Sequence, residues 1–204
     1  MSGATNGPNG PLPDEALDQL FREARSFGWF RDIPVSEAQV RATYDLMKMA
    51  PTSANQQPAR LVWCHSPNAR ERLAHHALDG NREKVRKAPL CVIVAMDLEF
   101  HEHLPWLYPH NDAKSWFTGD AEGRGTSAMR NSSLQGAYLM LAARALGLDC
   151  GPMSGFDNAA VDADFFAGEP QWRSNFICSV GHGDRSRLYE RSPRPDFDRF
   201  NRLL

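Results

Sequence analysis

Residues 90–96 read Leu-Cys-Val-Ile-Val-Ala-Met, with no charged side chain among them. A strand that has one face in water alternates apolar and polar residues, whereas a strand covered on both faces is apolar throughout. We therefore expect this stretch to form the central strand of a sheet that carries helices on both faces. A chain of 204 residues has the usual size of one domain, which predicts a single layered core.

Short apolar runs and helical patterns alternate along the rest of the chain. Apolar runs predict two further strands, at residues 61–64 and 175–180. Apolar spacing and end signals predict five helices, with Ser36 as the N-cap of the second, Gly80 ending the third and Gly147 ending the fourth. These helices are expected at residues 15–24, 36–50, 68–78, 128–146 and 159–166. Strands that alternate with helices indicate an α/β or α+β layered domain.

Composition restricts the classes of protein to consider. The net charge of -2 provides no general attraction for nucleic acid or for an anionic membrane. No apolar run approaches the roughly 18 residues that a membrane-spanning helix needs. We expect a soluble, cytoplasmic protein. Residues 1–14 are rich in Gly, Pro and Asn and lack the features of a signal peptide, so they are predicted to be a disordered tail before one domain at residues 15–204.

The cysteines and histidines form no recognisable metal motif. Four cysteines are far apart in sequence, and most lie in apolar runs, so we favour buried free thiols over the alternative of two disulfides. The His75-His76 pair and the His101-Glu102-His103 segment lack the i, i+4 spacing that places two imidazoles on one helix face. No metal is expected.

Residues 51–60, Pro-Thr-Ser-Ala-Asn-Gln-Gln-Pro-Ala-Arg, are predicted to form a rigid polar loop, which we call the polar loop. Pro51 ends the preceding helix, and Pro58 favours extended backbone at Gln57. The loop carries more side-chain donors and acceptors than a turn requires, which indicates a polar ligand. The alternative is an ordinary connection whose polar groups cap the backbone and face water.

Three other segments are candidates for function. Residues 99–125 are irregular and aromatic, typical of a lid or binding loop, although the aromatic side chains would also suit a small separate apolar cluster. Residues 151–155 are predicted to be a second loop, whose two glycines allow a flat ligand close to the backbone. The small residues of helix 128–146 suit either an intramolecular core or a dimer interface.

Arginines recur after residue 184 but alternate with Asp and Glu, as on a solvated surface. A nucleic-acid partner is therefore not expected. The other interpretation is that one or two of these arginines bind a single phosphate, for which a planar guanidinium is well suited.

The chain resembles the nitroreductase family of FMN-dependent oxidoreductases. Within that family it is most similar to the malonic semialdehyde reductase branch from the Rut pyrimidine-degradation pathway. Five segments carry the resemblance, in the same order over nearly the whole domain. They are Met-Ala-Pro-Thr-Ser-Ala-Asn at 49–55, Gln-Pro-Ala-Arg at 57–60, His-Asn-Asp-Ala-Lys-Ser-Trp-Phe at 110–117, Arg-Asn-Ser-Ser at 130–133, and Ala-Leu-Gly-Leu-Asp at 145–149 followed by Gly-Pro-Met-Ser-Gly-Phe-Asp at 151–157.

The resemblance implies an α+β fold with three layers, in which helices flank a central mixed, mainly antiparallel sheet and two chains form an intertwined homodimer. It also implies FMN as the cofactor. The residues that match FMN-binding positions are Arg25 and Ser26 with Arg191 and Arg194 for the phosphate, Asn81, Ser154 and Gly155 near the flavin, and Pro51, Thr52, Ser53 and Asn55 in a loop that faces the flavin of the partner subunit. Phe27 and Gly28 stand where the family commonly has a basic residue. The C-terminal arginines are therefore expected to supply more of the positive charge that binds the phosphate.

The implied activity is that of an NAD(P)H oxidoreductase that reduces malonic semialdehyde to 3-hydroxypropanoate by ping-pong hydride transfer. Because the flavin carries the hydride chemistry, no catalytic side chain is expected, and the sequence shows no Ser/His/Asp set or carboxylate pair. The alternatives are a broad-specificity nitro or quinone reductase acting on another small carbonyl or nitro substrate, and a flavin-binding protein without turnover.

Overall fold

A computed structural model describes residues 10–204. Residues 1–9 of the predicted tail lie outside the described residues, and the first helix begins at Asp14, the last residue of that prediction.

The centre of the protein is a four-stranded sheet in which all neighbouring strands are antiparallel. The strands, in the spatial order β1-β2-β4-β3, are β1 (Ala59–Cys64), β2 (Leu90–Asp97), β4 (Trp172–Gly181) and β3 (Asp149–Met153). The prediction for residues 90–96 is confirmed, since β2 lies between β1 and β4 and its residues from Leu90 to Ala95 are completely buried. Within residues 10–204, one isolated parallel bridge joins Ser26, which lies outside these strands, to Cys150 of β3.

The prediction of a loop at residues 151–155 is wrong for most of that segment. Residues 151–153 form part of β3 instead of a loop, with Pro152 opposite Cys178 of β4. A strand at the edge of a sheet tolerates proline because one of its sides has no strand partner that needs a donor. Only Ser154 and Gly155 of this segment remain outside regular structure.

Helices cover both faces of the sheet, as the sequence predicts. They are α1 (Asp14–Leu17), which continues as a π-helical turn (Asp18–Arg22), α2 (Glu37–Met47), α3 (Pro67–His76), α4 (Asp79–Lys87), α5 (Leu104–Leu107), α6 (Ala121–Ala145), α7 (Asn158–Phe165) and α8 (Phe197–Phe200). Single 3₁₀ turns occur at Ser53–Asn55, Phe100–His103, Ser115–Phe117 and Arg185–Arg187. Of the helices formed by residues 10–204, none combines the length and the apolar composition needed to cross a membrane.

Several helix boundaries differ from the predictions, and α2, for example, ends at Met47 instead of residue 50. The third helix ends at His76, and Gly80 lies inside the separate helix α4 instead of ending α3. Glycine inside a helix costs only about 1 kcal/mol relative to alanine, which is too little to end a helix by itself. The long helix begins at Ala121, seven residues before its apolar pattern, because Asp120 caps its N-terminus by accepting a hydrogen bond from the backbone of Gly123.

The two faces of the sheet have separate apolar clusters. Helices α3, α4 and α7 contribute Leu73, Val85 and Val161 to the cluster that contains Ile93 and Ile177. Helices α2 and α6 contribute Met47 and Leu139 to the cluster that contains Val92 and Val94. Alternate residues of β2 therefore point into different layers, and the protein has the three-layer α+β architecture that the resemblance implies.

All four cysteines are buried and free, as expected from the sequence. Cys64 and Cys91 lie opposite each other in β1 and β2. Burial raises the pKa of Cys64 to about 12 and that of Cys91 to about 11, because an apolar interior disfavours a thiolate.

Close contact between α6 and the sheet gives a test of this packing. A Cβ atom at Gly136 would lie 2.5 Å from the ring of Phe176, whereas a Cβ atom at Gly125 of the same helix would meet nothing within 4 Å. Both Gly→Ala changes favour the helix equally. We expect the free energy of unfolding of Gly136→Ala to be about 1–3 kcal/mol below that of Gly125→Ala, because of overpacking. Urea denaturation measures the free energy of unfolding, and equal values for the two variants would contradict this packing.

Candidate cofactor site

The polar loop has an unusual backbone. Ala54, Asn55 and Gln57 all have positive φ angles, of 50°, 48° and 42°. The prediction of extended backbone at Gln57 is therefore wrong, although Pro58 follows it. The side chain of Gln57 accounts for the difference, since its amide donates to the carbonyl of Ala50 and to Asn55 Oδ1, at 3.2 and 3.0 Å. Left-handed backbone in residues other than glycine persists only where several contacts fix it.

Helix α6 provides many of the contacts that fix the loop. Asn131 Oδ1 accepts a hydrogen bond from the backbone nitrogen of Ser53 at 2.9 Å, and Gln135 Oε1 accepts one from that of Ala59 at 2.8 Å. At the opposite side, Asn55 Nδ2 donates to the carbonyl of Leu107 at 2.8 Å. The loop is therefore rigid, as predicted, and most of its polar groups bind protein atoms.

A cavity of about 620 Å³ lies beside the polar loop. Its walls include Asn55 and Gln57 from the loop and the exposed indole of Trp106. At its base, Arg60 donates to the buried carboxylate of Asp97 with 2.6 Å between Nη2 and Oδ2. This ion pair connects the start of β1 to the end of β2 and leaves the cavity with mixed polarity.

A second cavity, of about 1020 Å³, has basic walls, and we call it the basic cavity. Its walls contain six basic side chains and one acidic side chain, Glu190. The basic residues are Arg25, Lys84, Arg144, Arg187, Arg191 and Arg194, and Ser26 also lines the cavity. Four of the predicted site residues, Arg25, Ser26, Arg191 and Arg194, are thus brought together.

Hydrogen bonds join the N-terminal and C-terminal segments around the basic cavity. Ser26 bridges to Cys150 of β3, and the backbone nitrogen of Phe27 donates to the Cys150 carbonyl at 2.9 Å. Arg25 Nη2 donates to the carbonyl of Tyr189 at 2.6 Å. Arg191 Nη2 donates to the carbonyls of Arg22 and Ala24, at 2.7 and 3.0 Å, so its guanidinium also holds the two segments together. In the part of the chain that the structure describes, Arg194 donates hydrogen bonds only to the carbonyls of Ser192 and Pro193, in its own segment.

Asn81 and Gly155 are in direct contact. Asn81 Nδ2 donates to the Gly155 carbonyl at 3.1 Å, and a Cβ atom at residue 155 would lie 2.6 Å from that nitrogen. Lys84 Nζ, one helical turn further along α4, lies 3.3 Å from Asn81 Oδ1. Ser154 precedes this contact as an exposed residue at the end of β3. Because Lys84 also lines the basic cavity, the Asn81–Gly155 pair lies next to that cavity.

The sequence interpretation missed Lys84. Its Cδ and Cε atoms would be 3.5 Å from a Cβ at Gly28, which is one of the two residues that replace the expected basic residue after Ser26. A cation from α4 therefore stands next to the position where the sequence lacks one. The sequence contains one indication of this position. Lys84 follows Asn81 by three residues, and on a helix this spacing places both side chains on one face.

The predicted site residues fall into two groups in one chain. Arg25, Ser26, Asn81, Ser154, Gly155, Arg191 and Arg194 lie around the basic cavity and the end of β3, whereas Pro51, Thr52, Ser53 and Asn55 belong to the polar loop. The polar loop is bound to α6, in the α2–α6 layer, but Asn81 is on α4, in the opposite layer. Within one chain, the structure does not bring these two groups together.

The aromatic stretch divides into a packed part and an exposed part. Phe100 and Phe117 are in edge contact, with ring centroids 4.9 Å apart, in a small cluster with Leu104, Ala113 and Ala128. Trp106 and Trp116 are largely exposed, with 72% and 58% of their surfaces accessible. The stretch thus contains the small apolar cluster considered as an alternative, and also two exposed indoles, of which that of Trp106 lines the 620 Å³ cavity.

One group in the described part of the chain has metal-ligand chemistry, namely Glu99, His101 and Glu102, whose ligand atoms lie within 4.8 Å of one another. Arg124 already binds Glu99 at 3.1 Å, and Lys114 binds Glu102 at 2.6 Å. The two nitrogens of His101 face different carboxylates, each at 3.6 Å. We interpret this group as a salt-bridge cluster and assign no metal to it.

Comparison with known proteins decides the family. The sequence profile described as Nitroreductase family matches residues 9–182. The chain belongs to the nitroreductase family. Arg191 and Arg194 lie beyond that match.

Relatives extend the family match over almost the whole chain. A Burkholderia lata protein is 56% identical over 192 residues, which are 94% of this chain and 98% of that protein. A Xanthomonas oryzae protein is 57% identical over 183 residues, which are 90% and 93% of the two chains. Both have the provisional name NADH dehydrogenase/NAD(P)H nitroreductase.

Solved structures of the family share the fold. A nitroreductase-family structure from Bacillus subtilis superposes with a TM-score of 0.82 at 21% identity, covering 94% of this chain and 100% of that one. One from Exiguobacterium sibiricum, solved in complex with FMN, gives a TM-score of 0.81 at 19% identity and covers 96% and 98%. At such identities the likeness concerns the fold alone.

The position of Arg25 and Ser26 in this nitroreductase-family chain depends on a close backbone contact. A Cβ atom at Gly151 would lie 2.0 Å from the Phe27 carbonyl oxygen. We expect Gly151→Ala to lower the free energy of unfolding by about 1–3 kcal/mol, because backbone must move. We also expect faster amide hydrogen exchange in residues 24–30. Gly168→Ala, where a Cβ meets nothing within 4 Å, is the control. Unchanged exchange at residues 24–30 would show that β3 does not hold this segment.

Proposed function

We propose that this protein is an FMN-dependent NAD(P)H oxidoreductase. One observation carries the proposal: Arg25, Lys84, Arg191 and Arg194 surround one cavity, and within residues 10–204 none of these four side chains forms an ion pair with a carboxylate. Uncompensated cations that converge on a cavity suit a phosphate dianion. The names of the relatives support NAD(P)H as the electron donor, and the FMN bound to the family member from Exiguobacterium sibiricum supports FMN as the cofactor.

The residues around the basic cavity fit the parts of FMN. The guanidinium groups and the Lys84 ammonium are suited to the phosphate, with the hydroxyl of Ser26 as a further donor. Beyond Lys84, the Asn81 amide lies beside Gly155, where the missing side chain leaves backbone accessible to a flat ring. We propose that Ser154 and Gly155 contact the ring and that Asn81 orients it.

When bound, FMN supplies the hydride chemistry, and the chain supplies binding and orientation. The guanidinium groups hold the phosphate end, and the Asn81–Gly155 contact fixes the ring end relative to β3. The same ring face must admit a nicotinamide and afterwards a substrate, which fits a ping-pong cycle. The exposed indoles of Trp106 and Trp116 are candidates for excluding water from that face.

For the substrate, we propose malonic semialdehyde, reduced to 3-hydroxypropanoate, on the strength of the sequence resemblance. The names of the relatives favour a second candidate, a nitro or quinone reductase with broad specificity. Both activities use the same flavin site, so the difference depends on residues that contact the substrate.

The functional test uses two steps under anaerobic conditions. We expect the visible absorbance of the flavin to bleach on addition of NADH or NADPH, because the flavin accepts the hydride. The reduced protein is then mixed with malonic semialdehyde or with a nitroaromatic, and single-turnover reoxidation rates are compared. Faster reoxidation by malonic semialdehyde supports the specific activity, and faster reoxidation by the nitroaromatic supports the second candidate. A yellow protein inert to both nucleotides would be a flavin-binding protein without turnover.

We also propose that the protein is an intertwined homodimer in which each flavin contacts both chains. Within residues 10–204 of one chain, the two groups of predicted site residues share neither a cavity nor a hydrogen bond, which suits a flavin that contacts the polar loop of a second chain. Helix α6 also exposes Met129, Leu134 and Tyr138, which suits a helix packed against another subunit. In this arrangement, Pro51, Thr52, Ser53 and Asn55 serve the flavin of the partner.

Mixing two defective proteins tests the shared site. Arg194→Ala should weaken FMN binding by about one to two decades, because a charge-assisted phosphate contact contributes roughly 1.5–3 kcal/mol. Asn55→Ala should damage the site of the other chain. In a heterodimer of the two variants, one site contains both lesions and the other contains none. At an FMN concentration that loads only the wild-type site, we expect about one working site per heterodimer.

Control mixtures of each variant with itself should show no recovery. Subunit exchange is verified with two differently tagged chains. Exchange without recovery would place Asn55 and Arg194 in the same chain's site or in no site, and either result contradicts the shared arrangement.

A further inference from the structure

Helix α6 has a line of polar residues on the side that faces the protein interior. Ser127, Asn131 and Gln135 follow one another at intervals of four, which places them along one side of the helix. Asn131 is 3% exposed and Gln135 is 2% exposed. A buried amide is costly unless its donors and acceptors have partners, so these partners indicate what the residues are for.

Each residue of this line binds the polar loop. Ser127 Oγ lies 3.0 Å from the amide nitrogen of Gln56, a completely buried side chain. Asn131 accepts from the backbone nitrogen of Ser53 at 2.9 Å, and its own amide donates to the Ser127 carbonyl at 2.9 Å. Gln135 accepts from the backbone nitrogen of Ala59 at 2.8 Å and donates to the side-chain oxygen of Gln57 at 2.5 Å.

The two backbone contacts enclose the strained part of the loop. Ser53 and Ala59 lie on either side of Ala54, Asn55 and Gln57, the three residues with positive φ. A backbone of this kind relaxes to other angles when the groups that fix it are removed. Asn131 and Gln135 therefore determine where the side chain of Asn55 is held, without being close to it in sequence.

We propose that Asn131 and Gln135 are positioning residues that hold the polar loop in the shape that presents Ser53 and Asn55 to the flavin of the partner subunit. This inference rests on the shared site proposed above. It gives a role to the segment Arg-Asn-Ser-Ser at 130–133, which carries part of the family resemblance but lines neither cavity described above. It also means that a helix of one subunit affects the cofactor of the other through hydrogen bonds to a loop.

The test uses the complete protein and a matched control. Asn131→Leu keeps a similar volume and removes both hydrogen bonds, and Asn131→Asp keeps an oxygen that accepts from Ser53. The control is Asn175→Leu, because Asn175 also binds α6 through its amide, at Ser132 and Ser133, and does not touch the polar loop. Two quantities are measured: the dissociation constant of FMN, from flavin fluorescence, and amide hydrogen exchange in a peptide that covers residues 50–60.

We expect Asn131→Leu to raise the dissociation constant of FMN about tenfold, which lies within the roughly 5- to 150-fold change that loss of the partner of a buried donor gives. Hydrogen exchange in residues 50–60 should increase in parallel. Asn131→Asp should give values between those of Asn131→Leu and the wild type, because it keeps the acceptor for Ser53 but loses the amide donor to the Ser127 carbonyl. Asn175→Leu should leave both near wild type, even if it lowers the melting temperature as much as Asn131→Leu does.

Two results would overturn the inference in different ways. If Asn131→Leu lowers the melting temperature but leaves FMN affinity and exchange in residues 50–60 unchanged, Asn131 has only a structural role. The variant Asn55→Ala distinguishes failure of this positioning role from failure of the proposed shared site. If Asn55→Ala weakens FMN binding and Asn131→Leu does not, only the positioning role is wrong. If Asn55→Ala leaves FMN affinity unchanged, the loop does not serve the flavin, and both proposals are wrong.

Discussion

Burial of β2 on both faces is the constraint on which the rest of the structure depends. Its residues from Leu90 to Ala95 have no exposed surface, and alternate side chains enter two different apolar clusters. Such a strand is stable only between two helical layers. The layers in turn place Asn81 of α4 and the polar loop on opposite sides of the sheet. The basic cavity has walls from both layers, with Lys84 from α4 and Arg144 from α6.

The polar loop shows how a costly local conformation is maintained. Three residues other than glycine adopt left-handed backbone, each at a cost of about 1–3 kcal/mol. Buried side chains from α6 and from the loop itself offset this by satisfying backbone donors within the protein, as at Ser53 and Ala59. A loop that only joined a helix to a strand would have no need for such contacts. Its rigidity is the property that the proposed role beside a flat cofactor requires.

The basic cavity is held by a different kind of interaction. Arg25 and Arg191 each bind backbone carbonyls across the junction of the N-terminal and C-terminal segments, while Lys84 reaches the same cavity from α4. Cations collected from three distant parts of the chain repel one another unless an anion joins them. The structure thus contains two separate elements, a polar loop bound to α6 and a cationic cavity, which the proposed function joins in one flavin site.

The sequence by itself determined the features that depend on local pattern. The continuous apolar run fixed β2 as a central strand, apolar spacing located most of α2, α3, α6 and α7, and the motifs identified the nitroreductase family. It did not determine the backbone of Gln57, where side-chain hydrogen bonds override the preference that Pro58 imposes, nor the strand at residues 151–153, which the edge of a sheet allows despite Pro152. Lys84 and the roles of Asn131 and Gln135 also required the tertiary structure, because each depends on a partner that is distant in the chain. Local propensity is readable from neighbouring residues, whereas a hydrogen bond across 78 positions, such as that between Ser53 and Asn131, exists only once the layers have packed.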